Sequence, residues 1–454
     1  HGNLVMGICA LRRAAGLLLA LLSLAVARAG AAEYYGYDPG GSGFTPLDQI
    51  TPGNVDQLAP AWTYHTRDLE SRAPDVLKRS TFEVTPILVG DKLVACTPFN
   101  AVVAVDPGTG HELWRYDPEI KTDYRPANWF TCRGVAVWHG PAGLAGPCVE
   151  RILTATADLR LIALDLKDGK PCPDFGQDGA VRIDPGTPLI WPGEFQFTSP
   201  PAVIGDLVGL GSAIADNVRV DAPRGTVRAF DVRTGAPRWR WDPVPERADD
   251  PDAASWGDGR RTTGAANVWA PIAIDEARGL LFLPTTSPSP DFYGGLRPGD
   301  NRRADSVVAL KAETGAVLWS YQLVHHDLWD YDNPAQPSLV TITLDGKARD
   351  VVIQGTKQGL VFVFDRDTGL PALPIEERPT PQGGIAGEVL SPTQPFPADL
   401  PLLGPDRITP EQAWGLTPWD RGACAQAISS ARSEGRFTPP SHRARSRSPS
   451  PAAA

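Results

Sequence analysis

The sequence has few of the residues that build metal clusters or nucleic-acid-binding surfaces. It holds seven His and six Cys and has no Cys-x-x-Cys pair, which argues against a zinc centre. Positive charge is in the minority, because 43 Lys and Arg stand against 53 Asp and Glu. The resulting net charge of −10 argues against a nucleic-acid partner, since phosphate binding needs a basic surface.

The length of the chain and its abundant residue types favour a large protein built from short strands. The chain has 454 residues, enough for one large repeat domain or two to three ordinary domains. Hydrophobic residues make up 42% and charged residues 21%, which is typical of a globular protein with a sizeable core. The 45 Gly and 46 Pro predict many tight turns, and hence strands rather than long helices.

The sequence does not decide whether its six cysteines form disulfides or remain free thiols. Cys9 falls in the predicted targeting segment, and the other five are widely spaced along the chain. They are consistent with a disulfide, of which Cys132 with Cys148 is one example, or with buried free thiols.

Both ends of the chain are predicted to lie outside the fold. Within residues 1–32, the single Met, Met6, is followed by Arg12 and Arg13, by the apolar run Ala14–Val26 and then by mostly small residues, as in an export signal. A retained membrane anchor is the alternative, although the run is shorter than a spanning helix of about 20 residues. Residues 442–454 form a basic Arg/Ser-rich tail, which we interpret as a frameshift or truncation artefact rather than an interaction segment.

A repeat runs through the chain between these ends. Each copy has apolar residues, Asp in most copies, and then a turn ending in Gly, often followed four residues later by Trp. The intervals between the turn glycines are 59, 66, 80 and 54 residues, and the glycines are Gly110, Gly169, Gly235, Gly315 and Gly369.

The repeat predicts a β-propeller. Each copy joins two strands of alternating apolar residues through a turn, which is typical of a β-hairpin. Four-stranded antiparallel sheets repeated radially form propeller blades. We expect Trp114, Trp239 and Trp319 to be structural residues that pack between neighbouring blades.

Eight short segments stand out along the chain. They are Phe44–Thr66, Thr81–Leu93, Thr131–Trp138, Gly211–Asn217, Asn267–Pro271, Val324–Leu339, Gly355–Gly369 and Trp414–Asp420. In this order and spacing they resemble the dehydrogenases that depend on pyrroloquinoline quinone (PQQ), and within them the membrane-bound glucose/quinate type. The resemblance runs from about Tyr34 to Ser441.

The resemblance implies an all-β fold, an eight-bladed propeller with its cofactor on the central axis. This chain supplies five repeat turns, so we expect residues 33–441 to form an incomplete propeller of roughly five to six blades. An unclosed propeller leaves sheet edges exposed, which predicts poor folding or inactivity.

The resemblance also implies a catalytic base and a metal site. Asp330 matches the catalytic Asp, which takes the proton of the substrate hydroxyl. Asp216 and Asn217 match the metal ligands, and their oxygen atoms suit Ca²⁺ or Mg²⁺. Asp327 and Asp332 are weaker candidates for the catalytic carboxylate. Because of Asp332, a lanthanide remains an alternative to Ca²⁺ or Mg²⁺ as the metal ion.

Four further residues match cofactor contacts of the family. Lys357 corresponds to the cation that faces the quinone oxygens, and Arg133 to the arginine that pairs with a PQQ carboxylate. Glu83 corresponds to a polar cofactor contact, and Trp269 to the Trp that stacks beneath the rings.

Two departures from family patterns narrow the expected substrate. The chain lacks the adjacent Cys-Cys pair of the alcohol-oxidising branch, and Trp129 stands where glucose-type members carry His. We therefore expect a periplasmic oxidoreductase of a sugar or polyol, either free or anchored in the inner membrane, with a quinone or cytochrome as electron acceptor. A non-catalytic propeller scaffold and an inactive truncated gene product are the alternatives.

A metal centre built from histidines is not expected. His325 and His326 are adjacent in the sequence, and adjacent residues of a strand face opposite sides of the sheet.

Overall fold

A computed structural model describes residues 32–441 of the chain. The export signal predicted for residues 1–32, apart from residue 32, and the basic tail at 442–454 therefore lie outside the described residues. Within the described range, no helix has both the length and the apolar character needed to cross a bilayer.

Four four-stranded antiparallel sheets, which we call blades 1 to 4, follow one another along the chain. Blade 1 consists of β1 (Ile87–Val89), β2 (Lys92–Cys96), β3 (Val102–Val105) and β4 (Glu112–Tyr116). Blade 2 consists of β5 (Ala136–His139), β6 (Glu150–Ala155), β7 (Arg160–Asp165) and β8 (Ala180–Arg182). After the short strand β9 (Phe195–Gln196), blade 3 contains β10 (Ala202–Ile204), β11 (Leu207–Leu210), β13 (Val227–Asp231) and β14 (Pro237–Trp241), and β12 (Ala213–Ile214) pairs with β9. Blade 4 consists of β15 (Ala273–Asp275), β16 (Leu280–Pro284), β17 (Ser306–Lys311) and β18 (Val317–Gln322).

The remaining strands form smaller sheets. Blade 5 has three strands, β19 (Ser338–Leu344), β20 (Lys347–Gly355) and β21 (Val361–Asp365), and a separate ribbon pairs β22 (Ile375–Pro379) with β23 (Thr393–Pro397). The α-helices are α1 (Asp68–Ser71), α2 (Pro74–Leu77) and α3 (Pro418–Ser429), and 3₁₀ turns cover Val55–Gln57, Ala253–Arg261 and Pro410–Gln412.

The blades pack side by side around their first strands. Strand β10 contacts both β5 and β15, and β15 contacts β19, so the first strands of blades 2 to 5 adjoin in series. Four hydrophobic clusters each draw buried residues from two consecutive blades, from blades 1 and 2 through to blades 4 and 5. The predicted all-β propeller architecture is thereby confirmed.

Each Trp of the repeat packs against the turn glycine of the following blade. The indole of Trp319 lies against Gly369 of blade 5, so closely that a Cβ added to this glycine would sit 2.4 Å from the ring. Its Nε1 donates a hydrogen bond to the carbonyl of Arg366 at 3.1 Å. The same two contacts recur in the pairs Trp62 with Gly110, Trp114 with Gly169, and Trp239 with Gly315. The inter-blade role predicted for these tryptophans is confirmed, and Trp62 extends it.

Two disulfides correct the pairing offered from the sequence. Cys132 is bonded to Cys96 and Cys148 to Cys172, so the example of Cys132 with Cys148 is wrong. The reason is topological: Cys96 ends β2 and faces the segment that enters blade 2, whereas Cys148 and Cys172 both belong to blade 2. Cys424, on α3, is a free thiol.

Candidate active site

The segments that lead into successive blades meet around one cavity of about 570 Å³. Six of the seven predicted site residues line it: Glu83, Arg133, Asp216, Trp269, Asp330 and Lys357. They come from five different blades, so only the radial packing of the sheets brings them together.

Asp330 and Lys357 form an ion pair within this cavity. The distance from Lys357 Nζ to Asp330 Oδ2 is 3.1 Å. Asp330 lies in the segment before β19 and Lys357 in the turn between β20 and β21, so both belong to blade 5. Asp330 has a φ of +59°, in the left-handed region that few residues other than Gly, Asn and Asp adopt. Such a backbone conformation is often found at functional sites.

Arg133 lies between a carboxylate and an aromatic face. Its Nη2 is 2.9 Å from Oε2 of Glu83, and its guanidinium carbon is 5.1 Å from the ring centre of Trp269. The Nη1 atom is buried and has no hydrogen-bond partner among the described residues. A charged donor left in this way is costly, and because Arg133 lines the cavity this nitrogen is available to an acceptor that enters it.

The two predicted metal ligands, Asp216 and Asn217, lie in different environments. Asp216 follows β12 and faces the cavity. Asn217 is not among the described residues that line the cavity, because its side chain turns to the buried Asp291. Its Nδ2 donates to Asp291 Oδ2 at 2.7 Å, and the backbone N–H of Asp291 donates to Asn217 Oδ1 at 3.2 Å.

Asp332 has a firmer place in the site than the sequence indicated. One of its oxygens accepts a hydrogen bond from Trp269 Nε1 at 2.9 Å and the other accepts one from the Ser287 backbone at 2.9 Å. Asp332 thus fixes the plane of the Trp269 ring. Asp327, in contrast, is buried and accepts the backbone N–H groups of Trp329 and Tyr331, so it holds the loop in shape.

The adjacent histidines His325 and His326 are not among the described residues that line the cavity. His325 contacts Gln322 and Glu377, and the buried His326 bonds to the carbonyl of Gly299. Two residues that sequence reasoning missed, Asn128 and Thr198, do line the cavity.

The cavity carries more negative charge than its cations balance. Burial, and next the charge of Asp332, raise the pKa of Asp216 to about 6, and the same two causes raise the pKa of Asp330, with Lys357 acting against them. Burial and the charge of Asp216 raise the pKa of Asp291 to about 9. For Lys357, burial alone would lower the pKa, but Asp332 and Asp330 outweigh it and raise the pKa. A bound cation would relieve this repulsion.

Family membership follows from the comparison of the whole chain with known proteins. Residues 32–453 match the family described as "PQQ: Glucose/ethanol/alcohol dehydrogenase, beta-propeller domain". The chain belongs to this PQQ-dependent dehydrogenase family. The resemblance seen in the short motifs is thereby confirmed.

Individual relatives agree with this membership. The chain is 39% identical to the quinoprotein glucose dehydrogenase of Escherichia coli (strain K12) over 413 residues, which cover 90% of this chain and 51% of that protein. It is 38% identical to the glycerol dehydrogenase large subunit of Gluconobacter oxydans (strain 621H), covering 90% of this chain and 54% of that protein. The chain thus spans about half the length of these curated relatives.

Solved structures share the fold. The crystal structure of the quinohemoprotein alcohol dehydrogenase from Comamonas testosteroni superposes with a TM-score of 0.64 and 27% identity, covering 82% of this chain and 52% of that one. A europium-containing methanol dehydrogenase superposes with a TM-score of 0.61 at 22% identity, covering 76% of this chain and 59% of that one, and shows the fold alone.

The cavity's residues fit a tricarboxylated quinone with a metal ion. Arg133 offers an unpartnered buried nitrogen for a carboxylate, and Lys357 offers a second cation. Trp269 presents an aromatic face, held by its hydrogen bond to Asp332. Asp216 supplies hard oxygen ligands beside an excess of negative charge, which suits Ca²⁺, Mg²⁺ or a lanthanide better than a soft metal.

Proposed function

We propose that the chain binds PQQ and a metal ion and oxidises a hydroxyl group of a sugar or polyol. The observation that carries this proposal is the convergence of Asp330, Lys357, Arg133, Trp269 and Asp216 on one cavity. The names of the relatives, which include glucose, glycerol and quinate/shikimate dehydrogenases, support a CH–OH donor.

The chain's own residues divide the work of this reaction. PQQ, when bound, would supply the hydride acceptor. Asp330 would take the hydroxyl proton as general base; burial and Asp332 raise the pKa of its carboxyl group, and Lys357, 3.1 Å away, opposes this rise. Arg133, Glu83 and Trp269 would hold the cofactor, and Asp216 would hold the metal ion, which would supply Lewis-acid chemistry.

The cellular setting is a further part of the proposal. We infer export to the periplasm from the apolar run Ala14–Val26 and from the small residues that follow it, with retention of this run as an inner-membrane anchor as the alternative. The electron acceptor is a quinone or a cytochrome. Quinate/shikimate dehydrogenase of Acinetobacter baylyi, 37% identical, carries "quinone" in its name.

A titration of the whole chain with PQQ tests the function. With Ca²⁺ present, PQQ is expected to quench Trp fluorescence saturably, because Trp269 lies at the cavity. Reduction of an artificial dye is then expected with at least one member of a panel of sugars and polyols. Mg²⁺ and a lanthanide in separate arms identify the ion. Absence of both PQQ binding and turnover would leave a scaffold or an inactive product as the correct reading.

Trp129 is expected to set the preference for ring-shaped substrates. Its side chain is 51% exposed at the cavity wall. Its backbone is held by Gln196, whose Nε2 donates to the Trp129 carbonyl at 2.9 Å. The apolar face of a cyclic sugar packs well on such an indole. Trp129→Ala should therefore raise KM for cyclic substrates about 3- to 10-fold, the range of one aromatic contact, with a smaller effect on kcat.

Comparison of substrates makes this prediction specific. Linear polyols, which have no ring face, should show a smaller change in KM, and Trp129→Phe should retain most of the preference. Equal changes in KM for cyclic and linear substrates would refute the stacking role.

A further inference from the structure

We propose that the disulfide between Cys96 and Cys132 is a positioning device for Arg133, which rests on the proposed function. Cys132 immediately precedes Arg133, and its partner Cys96 ends β2 of blade 1. The bond therefore joins the rigid body of blade 1 to the segment that carries the cavity's arginine into blade 2. Both cysteines are buried, with 1% and 4% exposure, in the hydrophobic cluster shared by these blades.

The backbone around Arg133 is already part of a chain of links between blades. The Arg133 carbonyl accepts the N–H of Thr85, in the segment before β1, and the Arg133 N–H donates to the carbonyl of Thr198, in the segment before β10, both at 2.9 Å. Ser199 Oγ then donates to the Trp269 carbonyl at 2.5 Å. These links tie the lead-in segments of blades 1 to 4 together behind the cavity.

The disulfide is the covalent member of this chain of links. The segment from 128 to 134 has no regular strand, and hydrogen bonds alone hold such a loop less firmly than a sheet. The guanidinium of Arg133 must keep its position between Glu83 and Trp269 to receive a carboxylate, since a bidentate contact tolerates little displacement. A covalent bond one residue away limits the movement of its Cα.

The second disulfide offers a matched control. Cys148 and Cys172 both lie within blade 2, are buried, and do not line the cavity. The two bonds span 36 and 24 residues, so their removal should cost similar loop-closure entropy. A purely stabilising role would make the two bonds equivalent in every assay.

The test compares Cys96→Ala/Cys132→Ala with Cys148→Ala/Cys172→Ala in the whole chain. We expect similar falls in Tm, but a rise of tenfold or more in the Kd for PQQ in the first variant and less than twofold in the second. Arg133→Lys, introduced into each background, should weaken PQQ binding less where the first disulfide is already absent, because both changes disturb one contact. Equal Kd values in the two disulfide variants, or additive effects of Arg133→Lys, would overturn the proposal.

Amide hydrogen exchange separates this inference from the proposed function. In the PQQ-free protein, exchange of the segment from 129 to 134 should accelerate at least tenfold when the Cys96–Cys132 bond is removed, and remain unchanged in the control. If the unaltered chain does not bind PQQ, the proposed function fails, while this exchange still decides whether the bond positions Arg133. Should the first variant not fold, a small phosphine is applied instead to the folded Cys148→Ala/Cys172→Ala variant, in which Cys96–Cys132 is the one disulfide left among the described residues. Unchanged exchange and unchanged PQQ affinity after reduction would then refute the inference.

Discussion

Asp330→Asn is expected to lower kcat about 10²- to 10⁴-fold, the usual contribution of a positioned general base. Asparagine has the size of aspartate and tolerates the φ of +59° found at this position, so the backbone should be preserved. The amide does not accept a proton, and the partner of Lys357 is lost as a charge. The checks are steady-state kinetics with saturating PQQ and cation, and a PQQ titration to show that binding persists.

Asp345→Asn is the matched control for this change. Asp345 also has a positive φ, of +50°, and lies in the exposed turn between β19 and β20 of the same blade. Its replacement should leave kcat within twofold of the unaltered chain. If Asp330→Asn retained full turnover, the base would have to be sought elsewhere, with Asp332 the next carboxylate at the cavity.

The sequence predicted those parts of the fold that the repeated turn motif encodes locally. The turn glycines, at which φ lies between +69° and +72°, need a residue without Cβ, so their chemistry is visible in the sequence. The partner of each Trp is not visible, because it lies in the next blade. Trp62 was missed because it precedes blade 1 and no turn glycine of the repeat stands four residues before it, although it contacts Gly110 of that blade.

The site was predicted less evenly, because its residues come together only through tertiary packing. Asp330, Lys357 and Arg133 lie in short motifs typical of the family, and the structure places all three at one cavity. The turn of Asn217 toward Asp291 depends on a loop 74 residues further along the chain, which no local pattern encodes. The same holds for the Cys96–Cys132 pairing, since the distance between neighbouring blades decides it.

Gly369→Ala is expected to destabilise the fold more than the same substitution at Gly346, a turn glycine that no Trp contacts. Two costs add at this position. A left-handed φ of +69° costs alanine about 1–2 kcal/mol. The new Cβ would also meet the Trp319 ring at 2.4 Å, and overpacking of this kind costs a further 1–3 kcal/mol or so. The free energy of unfolding should therefore fall by roughly 2–5 kcal/mol.

Gly346→Ala isolates the packing contribution. Gly346 lies in the turn between β19 and β20 with a φ of +72°, and no atom lies within 4 Å of the position where its Cβ would stand. It should therefore suffer the backbone cost alone, about 1–2 kcal/mol. Denaturant unfolding of both variants measures the difference, which is the cost of placing a Cβ against the Trp319 ring.

Trp319→Ala provides the complementary half of this experiment. Removing the indole should cost about 3–5 kcal/mol by leaving a cavity between the blades. It should also remove the overpacking at Gly369. In the Trp319→Ala background, Gly369→Ala should therefore lower the free energy of unfolding only by the backbone cost measured at Gly346. Strict additivity of the two single changes would contradict the idea that this Trp–Gly contact holds the blades together. The outcome bears on all four Trp–Gly pairs, because each has the same close approach and the same indole hydrogen bond to the following turn.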